Sequence, residues 1–358
     1  MMRPRVSVLL GVFNGGAFLS QAVESILAQT MPDFELLVID DGSTDGSGDL
    51  VKAYHDSRIR VIRNKSNLGL TRSLNIALEL ARGDLIARQD ADDISHPERF
   101  TRQITFLDAN PAVVLLGAQS KHVDINGWAT PFRGWPKATG ALGIRWQLMF
   151  DNPFVHTSVM FRRSVVWQQL AGYNETFRTN QDFELWSRVA ADYEVRNLPN
   201  VLVTLRSSAL SVSRMYRAED VARVQGVLLE NRRRWLQSED LVQAGLEAWM
   251  AVNNPANFDP PADLGCLAVA DIRIFRRFSE RYPEAVTDPE IRTHRAVSLA
   301  RVACAGARQG ARRSSVAFSH ACRIQPSVIP LWGPRYIGSA LLRWHSGEPA
   351  LPRANRVP

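Results

Sequence analysis

Apolar residues in the first half of the chain fall into short continuous runs, separated by stretches with helical spacing. Val6–Val12 and Phe34–Ile39 are unbroken enough to be buried strands, and Ile59–Ile62, Asp84–Ala87 and Val113–Gly117 continue the series. Between them, Ala17–Gln29 places Ala22, Val23, Ile26 and Leu27 on one helical face. Thr44–His55, with Ser43 and Asp45 at its start, Leu70–Leu80, and Pro97–Asp108, with Pro in its first turn, read as further helices. Strands alternating with helices of about 10–15 residues predict βαβ units and a mainly parallel sheet. From Ala138 the pattern changes to Gly140–Met149 helical, Thr157–Phe161 extended, Asp182–Ala191 helical and Val195–Leu205 extended. After Met215 it is helical, with loops near Asn253–Pro261 and Tyr282–Pro289 and an Ala- and Arg-rich helical period over Ala296–Cys322. The expected organisation is an α/β domain over residues 1–214 and a helical module over 215–358.

Two of the strand-like runs end in carboxylates, at Asp40-Asp41 and at Asp90-Ala91-Asp92-Asp93. Ligands of open α/β sheets bind outside the carboxyl ends of the strands, so two acidic strand ends are placed to share one site. Short acidic loops suit a hard divalent cation that keeps positions for water and phosphate oxygens. The turn after the first strand, Phe13-Asn14-Gly15-Gly16, is not Gly-x-Gly-x-x-Gly, which argues against a dinucleotide fold. Turn and helix-cap chemistry accounts for Gly42, Ser43 and Asp45 but not for two carboxylates at one strand end.

Composition adds little to this except through charge. With 45% hydrophobic and 22% charged residues the chain is of ordinary globular type. The net charge of +7 is carried largely by arginines after residue 205, among them Arg232–Arg234, Arg276-Arg277 and Arg312-Arg313. Such a surface suits an anionic partner, and equally a set of solvated helix faces. Trp235, Trp249, Trp332 and Trp344 lie among these arginines, a pattern compatible with peripheral docking on a membrane surface or with core packing. No apolar run approaches the roughly 20 residues of a membrane span. Three separated cysteines make neither a metal spacing nor a disulfide framework. The expectation is a cytoplasmic protein, peripheral to a membrane at most, with no nucleic-acid partner.

Several stretches, in order, resemble the family 2 glycosyltransferases of the GT-A fold. They are Val6–Asn14, Ala22–Thr30, Glu35–Ser47, Asn67–Leu70 with Asn75, Ala81–Asp93, Pro97–Arg99, Asn152–Ser158 and Gln181–Trp186. The resemblance covers residues from about 5 to 210 and implies a GT-A, Rossmann-like sheet flanked by helices. It divides the α/β domain into a nucleotide-sugar part, about 1–118, and an acceptor part, about 119–214. Asp41 is then similar to the residue that hydrogen-bonds the nucleobase, with Asp40, Phe13, Asn14 and Asn67 beside it. Asp90 lies near the ribose, and Asp92 holds Mg²⁺ or Mn²⁺ on the diphosphate of a nucleotide-sugar donor, UDP being the commonest nucleotide.

The resemblance also makes Asp182 the base that takes a proton from a saccharide or lipid-linked acceptor. Asp182 shares a helical face with Leu185 and Trp186, while Glu184 points elsewhere. His156 and Trp186 fall on the acceptor side, His156 being equally readable as a satisfied core residue. One departure stands out: after the last strand, where the family often has an Arg-x-His stretch, the chain has Arg206 and no His. Arg206 can still grip a phosphate with its donor fork, leaving the cation chiefly to Asp92. The implied activity is metal-dependent transfer with inversion, in surface polysaccharide or glycan synthesis. A sugar nucleotidyltransferase would need a basic Gly-rich loop where Asn14-Gly15-Gly16 stands, and a degenerate binding subunit would not need Asp41, Asp92 and Asp182 together.

Overall fold

The computed structural model describes residues 3–130, 137–206, 218–246, 265–309, 314–327, 329–330 and 333–335. Two compact units emerge, Met1–Leu228 and Leu229–Pro358.

The first unit is built on one eight-stranded sheet. Its strands are β1 (Val6–Val12), β2 (Phe34–Asp40), β3 (Ile59–Arg63), β4 (Leu85–Gln89), β5 (Ile94–Ser95), β6 (Val113–Val123), β7 (Met160–Arg162) and β8 (Glu194–Arg206). They lie in the order β3-β2-β1-β4-β7-β6-β8-β5. The four strands β3, β2, β1 and β4 are parallel, as are β6 and β8. The short strands β7 and β5 run antiparallel to their neighbours. This is the mainly parallel sheet expected from the residue pattern. Strands buried on both faces need near-continuous apolar sequence, and β1 and β2 supply it, with Val8, Leu10, Leu36 and Val38 at zero exposure.

Helices α1 (Leu19–Leu27), α2 (Ser47–Lys52), α3 (Leu70–Leu80), α4 (Arg99–Ala109), α5 (Ala141–Leu148) and α6 (Gln181–Asp192) flank the sheet. On α1 Leu19, Ala22, Val23 and Ile26 are buried, while Leu27, the fourth residue of the stripe read from sequence, is only half-buried. Register brings the functional strand ends level: Val12 pairs with Asp40, and Leu10 with Gln89. At the opposite end of the sheet the buried Glu35 ties the strands together. It accepts from Ser7 Oγ at 2.6 Å, Arg60 at 2.6 Å and the Arg82 backbone at 2.8 Å. Burial by itself would raise its pKa, but these hydrogen bonds outweigh it and hold the carboxyl below its ordinary range.

Four boundaries differ from the sequence reading. The helix expected from Thr44 begins at Ser47, because residues 43–45 are hydrogen-bonded to the turn after β1. The helix expected from Pro97 begins at Arg99; the Pro97 carbonyl accepts from Thr30 instead. The stretch expected to be extended from Thr157 opens with a 3₁₀ turn over His156–Ser158, and only Met160–Arg162 is strand. β6 continues six residues past the predicted Gly117, to Val123, because β8 pairs with it along this length.

The second unit is helical, with Gly265–Arg281, Pro289–Gln309 and Ser314–Ile324 as its longest elements beyond Ala218–Leu236, which spans the division. The single helical period read over Ala296–Cys322 is thus two helices, with residues 310–313 outside the described set. Trp235 is 2% exposed and belongs to the core, the second of the two readings its surroundings allowed. Trp249, Trp332 and Trp344 lie outside the described residues. Among the described residues no helix is long and apolar enough to cross a membrane.

One buried cluster joins three helices of this unit. Arg295 donates to both oxygens of Asp271, at 3.0 and 2.6 Å, while stacking 3.7 Å from the Phe275 ring, and His320 Nε2 lies 3.0 Å from Asp271 Oδ2. Burial pushes the Asp271 pKa up, but the His320 and Arg295 hydrogen bonds and charges pull it further down, for a net lowering. A carboxyl whose pKa is lowered on folding contributes stability above its unfolded value, about 4, and loses it as pH falls through the folded one. Asp271→Asn is therefore expected to lower the melting temperature at pH 7, with a cost of about 3–5 kcal/mol for a broken buried pair. The gap between variant and parent should close as pH falls below about 4 in thermal melts followed by circular dichroism. A gap independent of pH would show that the charge of Asp271 is not what stabilises the unit.

Candidate active site

The turn after β1 and the turn after β2 are laced together. The backbone N–H of Asn14 donates to Ser43 Oγ (3.0 Å), that of Gly15 to Ser47 Oγ (3.0 Å) and that of Gly16 to Asp45 (3.1 Å). In return Thr44 N–H donates to Asn14 Oδ1 at 2.9 Å. Asn14 adopts a left-handed φ of 51°, which short polar side chains tolerate. Phe13, 51% exposed, stands at the mouth of this double turn.

The two carboxylates that end β2 face different surroundings. Asp41 accepts from Asn64 Nδ2 (2.7 Å), Leu68 N–H (2.9 Å) and Gly69 N–H (2.9 Å), so it moulds the 64–69 loop on which Asn67 is exposed. A carboxylate offers about four acceptor directions, of which these bonds use three, and Asp41 is itself buried at 3% exposure. Asp40 is a correction. It is fully buried, accepts from Ser43 N–H at 2.8 Å, and lies 3.5 Å from Arg63 Nε. A side chain on Gly48 would collide with its Oδ2. Asp40 therefore supports the turn from beneath and does not reach a ligand.

The second acidic strand end is held by two buried arginines that motif reasoning passed over. Arg88 lies inside β4 and donates to the Leu9 carbonyl at 3.1 Å, to the Gln89 carbonyl and to Asp90 Oδ1. Arg99, at the start of α4, donates to Gln103, Gln89, Ser95 and the carbonyls of Arg88 and Val159, at 2.8–3.3 Å. Burial, then the neighbouring Arg88 charge, brings its pKa down to about 9, so it remains charged at neutral pH. The signal was present in the sequence: an arginine within a fully buried strand run needs partners.

Beyond these arginines the loop is crowded with negative charge. Burial, followed by the charge of Asp90, raises the pKa of Asp92. Burial, then Asp90 and Asp92, raises that of Asp93 well above the carboxylate range. Arg206, the last residue of β8, closes the loop: its N–H donates to Asp93 Oδ1 at 3.0 Å and its Nε to the Asp92 carbonyl at 3.4 Å. Its guanidinium also stacks 4.1 Å from the Phe18 ring and donates to Gln21 at 2.7 Å.

Asp182 sits in the first turn of α6, where the helix dipole favours a carboxylate. Asn152 Nδ2 donates to its Oδ2 at 2.8 Å, leaving Oδ1 without a hydrogen-bond partner among the described residues. Glu184 is engaged elsewhere, in a bidentate pair with Arg188 at 2.7 and 2.9 Å. His156 opens the 3₁₀ turn that precedes β7. Its Nε2 lies 3.1 Å from Tyr173 Oη, and the carboxylates of Asp182 and Asp90 both act on it. Burial, then the Arg88 charge, overrides them and lowers its pKa to about 4, so the imidazole is neutral at physiological pH. The next residue, Thr157, accepts from the Asp90 N–H at 3.0 Å. Trp186 is the second correction: it is fully enclosed by Phe154, Phe161, His156 and Tyr173 and touches no open surface. It acts as a floor under His156 and Tyr173 and makes no acceptor contact of its own.

A mainly parallel sheet with two acidic strand ends, facing a helix-borne carboxylate, defines a glycosyltransferase of the GT-A fold. Residues 7–170 match the model of glycosyl transferase family 2. The chain is 35% identical to the putative glycosyltransferase EpsE of Bacillus subtilis, over 58% of this chain and 74% of the relative. It is 32% identical to the amylovoran biosynthesis glycosyltransferase AmsE of Erwinia amylovora, over 58% and 78% of the two chains. In fold it is similar to S. aureus TarS 1–349, solved in complex with UDP-GlcNAc, with a TM-score of 0.58, 15% identity, and 96% and 92% of the two chains covered. The mannosyltransferase PcManGT from Pyrobaculum calidifontis, solved with GDP-Man and Mn²⁺, gives a TM-score of 0.50 at 18% identity, covering 97% and 89%. The chain belongs to glycosyl transferase family 2.

Proposed function

We propose that this enzyme moves a sugar from a nucleoside diphosphate donor, UDP-linked in the first instance, to a hydroxyl of a saccharide or lipid-linked acceptor, with inversion, in the assembly of a polysaccharide or glycan. The observation that carries this reading is that one short segment holds an acidic residue from each half: Asn152 donates to Asp182 Oδ2 at 2.8 Å, and Thr157 Oγ1 accepts from the Asp90 N–H at 3.0 Å. Asp41 binds the nucleobase. Arg206 provides a fixed cationic fork beside the acidic loop. Asp182, oriented by Asn152, accepts the proton of the attacking hydroxyl through its unpartnered oxygen. A single displacement of this kind requires one base and one stabilised leaving group and no covalent intermediate.

The donor set also fits a divalent cation. Asp92 and Asp93 carry raised pKa values because burial, and then the charge of Asp90, disfavour their ionised forms, and a cation at Asp92 relieves that repulsion. Among the described residues no three His, Cys, Asp or Glu side chains form a self-contained metal cage. The remaining ligands would come from donor phosphates and water. When bound, Mg²⁺ or Mn²⁺ stabilises the charge developing on the leaving diphosphate by several kcal/mol.

Calorimetric titration with UDP, GDP and dTDP, with and without Mn²⁺, tests this reading. One nucleotide should bind in a metal-dependent manner, and Asp92→Ala should weaken its binding at least tenfold. Failure of all three nucleotides under both conditions would leave a transferase fold without a working donor site.

A further inference from the structure

We propose that the turn Ile125–Trp128 is a carbohydrate-binding platform that holds a pyranose ring of the acceptor; the inference rests on the transfer reaction proposed above. β6 and β8 stay paired to their ends, Lys121 with Thr204, His122 with Leu205 and Val123 with Arg206. Arg206 is the residue whose N–H holds Asp93. The turn leaves β6 at the next residue, so it rises one strand spacing, about 4.8 Å, from the residue that closes the acidic loop. Sheet order separates β6 and β8 from β2 and β3, whose ends carry the Asp41 pocket. Helix α6, which carries Asp182, packs against β6 and β8. The turn therefore lies on the acceptor flank.

Its construction is that of a rigid mount. Asp124 Oδ1 accepts from the N–H groups of Asn126 and Trp128, each at 2.9 Å. Asp124 N–H donates to the Trp128 carbonyl at 2.9 Å and Gly127 N–H to the Asp124 carbonyl at 3.1 Å. Gly127 supplies the φ of +85° that the turn needs. Thr130 N–H returns to His122 at 2.9 Å, and Val123 bridges Ala129. On this mount Trp128 is 75% exposed and Ile125 56%. A Trp left that far in water contributes little to folding, whereas its burial against a partner is worth much.

The electron-rich face of an indole complements the C–H face of a pyranose, which is apolar and carries the positive ends of its C–H dipoles. A ring already fixed by the turn loses little conformational freedom on binding. Ile125 supplies apolar surface beside it. An acceptor saccharide stacked here lies with its hydroxyls towards water and towards the site of transfer.

The test uses the full chain labelled with 5-fluorotryptophan and saturated with the nucleotide found by calorimetry. The ¹⁹F resonance of Trp128 is assigned by its absence in Trp128→Phe. Chitotetraose, cellotetraose, mannotetraose and isomaltotetraose are then added at millimolar concentration. The Trp128 resonance should move with at least one of them, and Trp128→Ala should weaken binding of that sugar at least tenfold without changing nucleotide affinity. A resonance silent to all four overturns the proposal. So does movement only on adding phosphatidylglycerol vesicles, which would mark the turn as a membrane contact. Loss of nucleotide binding in the unmodified protein would instead sink the donor-site reading, so the two failures are distinguishable.

Discussion

Asp182→Asn is expected to bind nucleotide as the parent does and to lose transfer by roughly 10²- to 10⁴-fold, the range for removing a general base. The substitution is nearly isosteric, and the amide oxygen can still accept from Asn152, whose Nδ2 holds the native carboxylate at 2.8 Å. What disappears is the ability to take up a proton. Glu184 cannot substitute, because Arg188 binds both of its oxygens. His156 cannot readily do so either: with its pKa near 4 it is a much weaker base than a free imidazole. Transfer of labelled sugar from the donor, measured beside nucleotide calorimetry on the same preparation, separates the two effects. Turnover within tenfold of the parent would show that Asp182 is not the base.

Arg99→Leu is expected to be the most destabilising single change near the site, by about 3–5 kcal/mol. The leucine cannot replace the hydrogen bonds to Gln103, Gln89, Ser95 and the Arg88 and Val159 carbonyls. Each buried acceptor left without a donor costs about 1–3 kcal/mol. The positive charge that offsets Asp90 and Asp93 is lost as well. In urea the midpoint should fall with little change in slope, and the melting temperature should drop by on the order of 10 °C. Arg99→Lys should rescue little, since one ammonium cannot serve acceptors arrayed around a planar fork. A loss under about 1 kcal/mol would mean that the network is dispensable and the acidic loop holds its shape through Arg88 and Arg206 alone.

These two residues differ in how visible they were in the sequence. Asp182 stood out through the resemblance, on a helix whose period also turns Glu184 away. Arg99 appeared only as part of a matched stretch, since its acceptors include the carbonyl of Val159, sixty residues away. Asn152, Thr157 and Tyr173 escaped for the same reason: each serves the site through a partner distant in sequence, Asp182, Asp90 and His156. The twin carboxylates of β2 show the limit of motif reading. Both are buried, Asp40 at 0% and Asp41 at 3% exposure, and the residue pattern could not say that Asp41 would accept from the 64–69 loop and Asp40 from the turn at Ser43.

By itself the sequence determined the strands β1 to β4, most of the apolar face of α1 and the acidic strand ends, because each depends on local periodicity and on the burial of continuous apolar runs. Tertiary structure decided the rest. The polar residues Gln119–Lys121 became strand only because β8 lay beside them to pair with their backbone. Ser43, Thr44 and Asp45 left the helix they could have started because the turn after β1 offered them hydrogen-bond partners. Trp186 went to the core and Trp128 was left 75% exposed, a difference that side-chain chemistry alone could not assign. Backbone groups must find partners wherever they are buried, and which partners come within reach is set by how the chain packs.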